Sequence, residues 1–190
     1  MGPSGAGFRR EAGINTVPHA AIHWGKDIAV EHIRGVPFRL YSERPRRVTE
    51  FLTLSARWGA RAHVVQGERV LSFDGLRHAS AAKARLLSAN GIMRGERVFL
   101  LGWNSPEWIV NFWACQLIGA VPVLANAWWS EGELADALNR LQPAMTFADA
   151  RGAARVPAQW RCGAWGIDTT PVPEIDATNN GSEEDPALII

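Results

Sequence analysis

The sequence predicts an α/β protein built on a doubly wound, mostly parallel sheet. Three observations carry this expectation. Apolar runs of strand length at residues 98–101, 121–124 and 144–148 alternate with two amphipathic helical patterns, giving β-α-β-α-β. The runs are apolar on both faces, as strands covered by helices on each side must be. The connections are short, and right-handed crossovers follow by default.

Each element has its local reason. Residues 1–17 are Gly-rich and read as a disordered start; residues 18–48 read as an irregular arm containing "RGVPFRLY" and the basic turn "SERPRR". From residue 49 to 166 the pattern is that of one domain. Thr49 is expected to cap a short helix that ends at Gly59. "RAHVVQGERVLSF" reads as a β-hairpin around residues 66–69. Asp74 is expected to cap a long helix with Leu76, Ala79, Ala82 and Leu86 as its buried stripe, closed by Asn90 and Gly91. Ser105, Pro106 and Glu107 form a helix start: a cap, a proline whose missing N–H costs nothing there, and an acid at the positive helix end. Trp108, Ile109, Phe112, Trp113, Gln116 and Leu117 follow at helical spacing. Ser130 and Glu133 make a capping box, with Leu134, Ala137, Leu138 and Leu141 behind it. Residues 150–166 are expected to add a short helix and a strand. Residues 167–186 read as a polar, Pro-rich connector, and residues 187–190 as the start of another buried strand.

Composition excludes several classes. A formal net charge of +1 over 190 residues offers no general field for nucleic acid or anionic membranes. No apolar stretch is long enough to span a bilayer, and "MGPSGAGFRREAG" lacks the apolar region of a signal peptide, so a cytoplasmic protein is expected. Cys115 and Cys162 form no disulfide framework or metal cluster; Cys115 falls within a helical apolar pattern and reads as core.

Candidate chemistry is sparse. Ligands of doubly wound sheets bind beyond the carboxyl ends of the strands. Those positions here are Gly102, Trp103 and Asn104, then Ala125 and Asn126, then Asp149. No Gly-rich phosphate loop follows any of them, and one Asp is too few carboxylates for a phospho-acceptor cluster. His19 and His23 lack a third metal ligand, and His63 and His78 lack a nucleophile. Ser105 is a cap, with no nucleophile elbow around it. Arg44, Arg46 and Arg47 read as a solvated loop around Pro45. Lysine occurs only at Lys26 and Lys83. Trp128 and Trp129 are adjacent after a strand end and cannot both easily face one core; packing is the favoured reading, and the alternative is that one borders a cleft or another domain. Asn104, Trp128 and Trp129 are therefore the cleft-lining candidates; no catalytic, cofactor-binding or metal-binding residue is assigned.

These stretches carry a resemblance. "LSFDGL" at residues 71–76 is similar to the first core motif of the AMP-forming adenylating enzymes, with Phe73 where Tyr is commoner. "GERV" at 95–98, "NSPEW" at 104–108 and "LIGAVPVLANA" at 117–127 resemble the segments that follow. "NAWWS-EGEL" and "RGVPFRLY" look most like bacterial fatty-acyl-CoA ligases. The likeness covers residues 30–190 and implies an incomplete N-terminal domain of a larger enzyme. It implies that the complete enzyme uses ATP, Mg²⁺ and coenzyme A: a carboxylic acid attacks the α-phosphate to give acyl-AMP and pyrophosphate, and a thiol then displaces AMP.

The parts such enzymes use for chemistry, the phosphate loop, the adenine and acyl pockets and the catalytic Lys of the C-terminal lid, would follow Ile190. The expected partners are the remaining polypeptide and a small carboxylic acid. The 190 residues alone are expected to bind no cofactor, to catalyse nothing and to self-associate through an exposed strand edge. The alternatives are an aryl-CoA ligase fragment and a naturally short partner-binding module without activity; the reading frame beyond Ile190 separates the last from the others.

Overall fold

The computed structural model describes residues 26–160, 162–176 and 181–190, in two units that divide after Arg44. The start expected to be disordered, and His19 and His23, lie outside the described residues.

In the first unit, β1 (Ile28–Ile33) and β2 (Val36–Tyr41) pair antiparallel, with Ile28 opposite Tyr41 and Ile33 opposite Val36. The arm expected to be irregular is thus a regular hairpin over these residues. Arg34 and Gly35 both take positive φ, 50° and 81°, the two-residue turn whose twist suits a hairpin. The Arg44 guanidinium grips both carboxylate oxygens of Glu31 at 2.9 and 2.8 Å.

The second unit, Pro45–Ile190, opens with α1 (Val48–Leu54). Its cap is at Arg47, not Thr49: Glu50 reaches back to accept the N–H groups of Arg46 and Arg47, both at 3.1 Å, while Thr49 is buried. β3 (Ala62–Gln66) and β4 (Arg69–Ser72) form the expected hairpin, turning at Gly67. Helix α2 (Phe73–Ala89) is capped by Ser72, whose Oγ accepts the Gly75 N–H at 3.0 Å. Asp74 instead lies in the first turn and pairs with Arg77 at 2.6 Å. Leu76 and Ala79 of the expected stripe are buried, but Ala82 is only partly buried and Leu86 is exposed, while Lys83 and Leu87 are buried.

Next come β5 (Arg97–Leu101), α3 (Pro106–Leu117), β6 (Val121–Ala125), α4 (Glu131–Leu141), β7 (Met145–Ala148), the short α5 (Ala150–Ala153) and β8 (Cys162–Gly163). Ser105 Oγ accepts the Trp108 N–H at 3.2 Å, and Ser130 and Glu133 form their reciprocal box. The four strands are parallel in the order β6-β5-β7-β8. Alternation along β5 shows the double winding. Val98 and Leu100 pack with α2 and α3; Phe99 and Leu101 pack with Leu134 and Leu138 of α4 on the opposite face. All four of these β5 residues have no exposed surface. Cys115 is buried in the α3 stripe, and burial pushes its thiol far above the usual range.

Beyond β6 the sheet continues by one residue. Ile189 sits parallel beside Val123, donating to Pro122 O at 3.0 Å and accepting from Leu124 N at 2.8 Å. Ile190 is exposed. The approach to Ile189 is tethered by Arg46–Glu183 at 2.9 Å, by Arg94–Asp185, and by Gln116 Nε2 donating to Ala187 O at 2.6 Å. No described helix is long and apolar enough to cross a membrane.

Candidate functional site

The strand order reverses between β5 and β7, because the chain runs from β5 to β6 on one side and then to β7 on the other. The carboxyl rim of such a sheet, around that reversal, is the general ligand position. Four loops meet there: residues 102–105 after β5, 126–130 after β6, Asp149 after β7, and 164–166 after β8.

On the β5–β7 side the rim is occupied by the protein itself. Asp149 Oδ2 accepts the Trp103 N–H at 3.0 Å, and Oδ1 accepts the Gly152 N–H at 2.7 Å, capping α5. Both carboxylate oxygens are thus committed to backbone. The Trp165 ring lies over Gly102: a Cβ there would stand 2.7 Å from Cη2 and 2.8 Å from Cζ2. Glycine is required at 102 because the indole takes the space.

The β5–β6 side presents aromatic surface. Trp103 and Trp128 meet edge to face with centroids 4.6 Å apart, and Trp128 remains 78% exposed. Trp129 turns the other way, half-buried against the α4-side core, with its centroid 6.4 Å from that of Phe99. The loop that carries the pair is held firmly. Asn126 Oδ1 accepts the Trp128 N–H at 2.9 Å, and Arg155 donates to the carbonyls of Ala127, at 2.9 Å, and Trp129. Asn104 is exposed, and its carbonyl accepts Gln66 Nε2 at 3.0 Å, bringing the β3–β4 hairpin to the rim. The structure therefore gathers Asn104, Trp103 and Trp128 at one end of the sheet and sends Trp129 inward.

The remaining titratable residues serve the scaffold. Burial holds the Lys83 ammonium below its usual range, and it donates to two backbone carbonyls. Burial also lowers His63, whose ring packs 4.4 Å from Phe73. Arg46 pairs with Glu183, and Arg47 approaches Glu50 at 3.6 Å. Among the described residues no three His, Cys, Asp or Glu side chains converge on a metal-sized space. Trp103 is named from sequence only as a strand-end position and not among the cleft-lining candidates, and Arg155 and Trp165 are given no site role there. The signal for Trp103 was its place at a strand end; the carbonyl contacts of Arg155 leave no signature in a sequence.

The family described as AMP-binding enzyme matches residues 52–188. The chain is 39% identical over 79 residues to the medium-chain fatty-acid–CoA ligase of Escherichia coli (strain K12), covering 40% of this chain and 14% of that protein. It is 33% identical over 102 residues to enterobactin synthase component E of the same organism, covering 54% of this chain and 19% of that one. It thus spans less than a fifth of these curated relatives. Its fold matches the N-terminal subdomain of Klebsiella oxytoca NpsA with a TM-score of 0.65 at 22% identity, covering 77% of this chain and 38% of that one. A benzoate CoA ligase from Burkholderia xenovorans LB400 matches with a TM-score of 0.58 at 16% identity, over 64% and 25% of the two chains.

Proposed function

The chain belongs to the AMP-binding enzyme family, and from that premise we propose that it forms the N-terminal scaffold of an ATP-dependent acid–thiol ligase. In the complete enzyme a carboxylic acid, here assigned as a fatty acid, is activated as acyl-AMP with release of pyrophosphate. Coenzyme A then takes the acyl group and AMP departs. The family match over residues 52–188 carries this reading. The likeness to a medium-chain fatty-acid–CoA ligase supports the choice of acid. In that role the enzyme works in the cytoplasm, where ATP and coenzyme A are supplied.

The residues present do not fit Mg-ATP. Asp149 is spent on two backbone N–H groups, Lys83 on two carbonyls, and the crevice over Gly102 is filled by Trp165. No glycine-rich loop opens a helix at the rim to receive phosphates. What this chain contributes is a rigid sheet and an aromatic rim, with Asn104 and Trp128 bordering the path of the acid and Trp129 anchoring the loop that carries Trp128.

The pure 190-residue chain, given ATP, Mg²⁺ and a fatty acid, is expected to release no pyrophosphate; measurable acid-dependent release would refute the scaffold role. The longer protein is expected to form acyl-CoA from fatty acids in preference to aryl acids, and the reverse preference would overturn the choice of acid. In that longer protein Trp128→Ala is expected to alter the profile across acyl chain lengths. An unchanged profile removes Trp128 from the path of the acid.

A further inference from the structure

Three successive carbonyls beyond β8 are held by two buried side chains. Lys83 Nζ, on α2, donates to Ala164 O at 2.7 Å and Gly166 O at 2.6 Å. Asn111 Nδ2, on α3, donates to Trp165 O at 3.1 Å and to Glu107 O at 2.9 Å. Lys83 is 5% exposed and Asn111 has no exposed surface. Polar groups are costly at such positions. Asn111 even leaves its own Oδ1 without a hydrogen-bond partner while its amide nitrogen serves the strap. Apolar side chains of similar size would fill the space between α2, α3 and the sheet at lower cost. What the polar pair achieves, and an apolar pair would not, is a fixed path for residues 164–166.

That path decides where one ring goes. We propose that Trp165 is an internal occupant of the crevice between β5 and β7, and that Lys83 and Asn111 are the positioning residues that strap it there. Gly102 supplies the opening, since any side chain at that position would collide with the indole. Asp149 closes the floor through its bond to Trp103 N–H. The reversal point of the sheet is thereby shut from within, and incoming ligands are confined to the β5–β6 side unless the strap lifts. This inference rests on the sheet topology and the strap contacts, so it stands or falls separately from the ligase assignment.

The test uses the 190-residue chain labelled with 5-fluorotryptophan, the Trp165 resonance being assigned with Trp165→Phe. In the unsubstituted chain the Trp165 fluorine, on a partly buried ring, is expected to show an H₂O/D₂O isotope shift clearly smaller than that of exposed Trp128; a shift as large as that of Trp128 overturns the proposal. In Lys83→Met the Trp165 resonance is expected to gain an exposed-ring isotope shift while those of Trp129 and Trp160, on the other face, stay put. A Trp165 resonance unmoved in that variant shows the strap to be dispensable and overturns the proposal. If Lys83→Met does not fold, Trp165→Ala titrated with 5-fluoroindole decides. Saturable binding by the variant and none by the unsubstituted chain supports an indole-shaped crevice. Absence of saturable binding by the variant overturns it.

Discussion

Two tryptophan-bearing loops reach the same rim, and they treat their rings in opposite ways. After β8, Lys83 and Asn111 grip the backbone around Trp165 and the ring goes inward over Gly102. After β6, Arg155 and Asn126 grip the backbone around Trp128 and the ring stays outside. The holding device is similar, side chains bound to the backbone on either side of the ring: donors to three successive carbonyls around Trp165, and around Trp128 an arginine donating to the flanking carbonyls with Asn126 Oδ1 accepting the Trp128 N–H. The available room differs. A residue without a side chain leaves space for Trp165, whereas the core position behind Trp128 already belongs to Trp129. A backbone held this rigidly around an exposed indole presents a ring whose ordering has been met in advance, which is what a binding surface requires. The same rigidity around a partly buried indole laid over Gly102 keeps a site closed.

Substitutions test this contrast at very different sizes. Trp165→Ala is expected to cost about 3 kcal/mol, the loss of a large ring from a filled crevice, read as a lower urea midpoint with unchanged m. Arg155→Met comes next, at about 1.5 kcal/mol, because two carbonyls lose a charged donor. It should also broaden the Trp128 resonance while leaving Trp165 sharp; equal broadening of both would dissolve the distinction between the loops.

The third effect is a slope. Burial depresses the folded-state pKa of Lys83, so folding is penalised while the amine is charged in both states. The penalty is relieved as pH rises from the folded value towards the ordinary lysine value, and the gain is complete above about pH 10.4. The buried Cys115 thiol and the more exposed Cys162 thiol, both raised by desolvation, pull the other way as unfolded cysteine ionises. The stability difference between the unsubstituted chain and Lys83→Met isolates the lysine. It should shift in favour of the unsubstituted chain with rising pH, and a flat difference would mean that Lys83 is not desolvated. Smallest is Trp128→Ala, within about 0.5 kcal/mol of no change, as for an exposed side chain. A larger loss would mean that the ring is structural and the contrast with Trp165 is false.

The sheet and its crossovers were legible because double-sided apolar strands and Ser-based caps are written in residue types. Ser105 and Ser130 cap their helices as expected. Thr49 and Asp74 do not, because Glu50 and Ser72 reach the free N–H groups instead. The reading of α2 missed the exchange of Leu86 for Lys83. Residue type favours the leucine, but position 83 lies seven residues from Leu76 on the same face of the helix, and the lysine there has carbonyls to meet. Trp128 and Trp129 could be separated in principle by their adjacency, though not assigned to faces. The strap around Trp165 left no trace at all, since its acceptors are backbone oxygens that every residue carries.

Pro122 gives the outer edge of β6 a polarity of its own. In a parallel ladder, alternate residues show both backbone groups to the same side, so residues 122 and 124 face outward, and the first of them has no N–H to give. Ala187, which would stand opposite Val121, finds no donor on the strand, and its oxygen is taken by Gln116 instead. Ile189 is the first residue to find both an acceptor and a donor, at Pro122 O and Leu124 N. One missing hydrogen atom thus acts as a ratchet stop: a strand docking on this edge locks in a single phase and cannot slide back by a pleat.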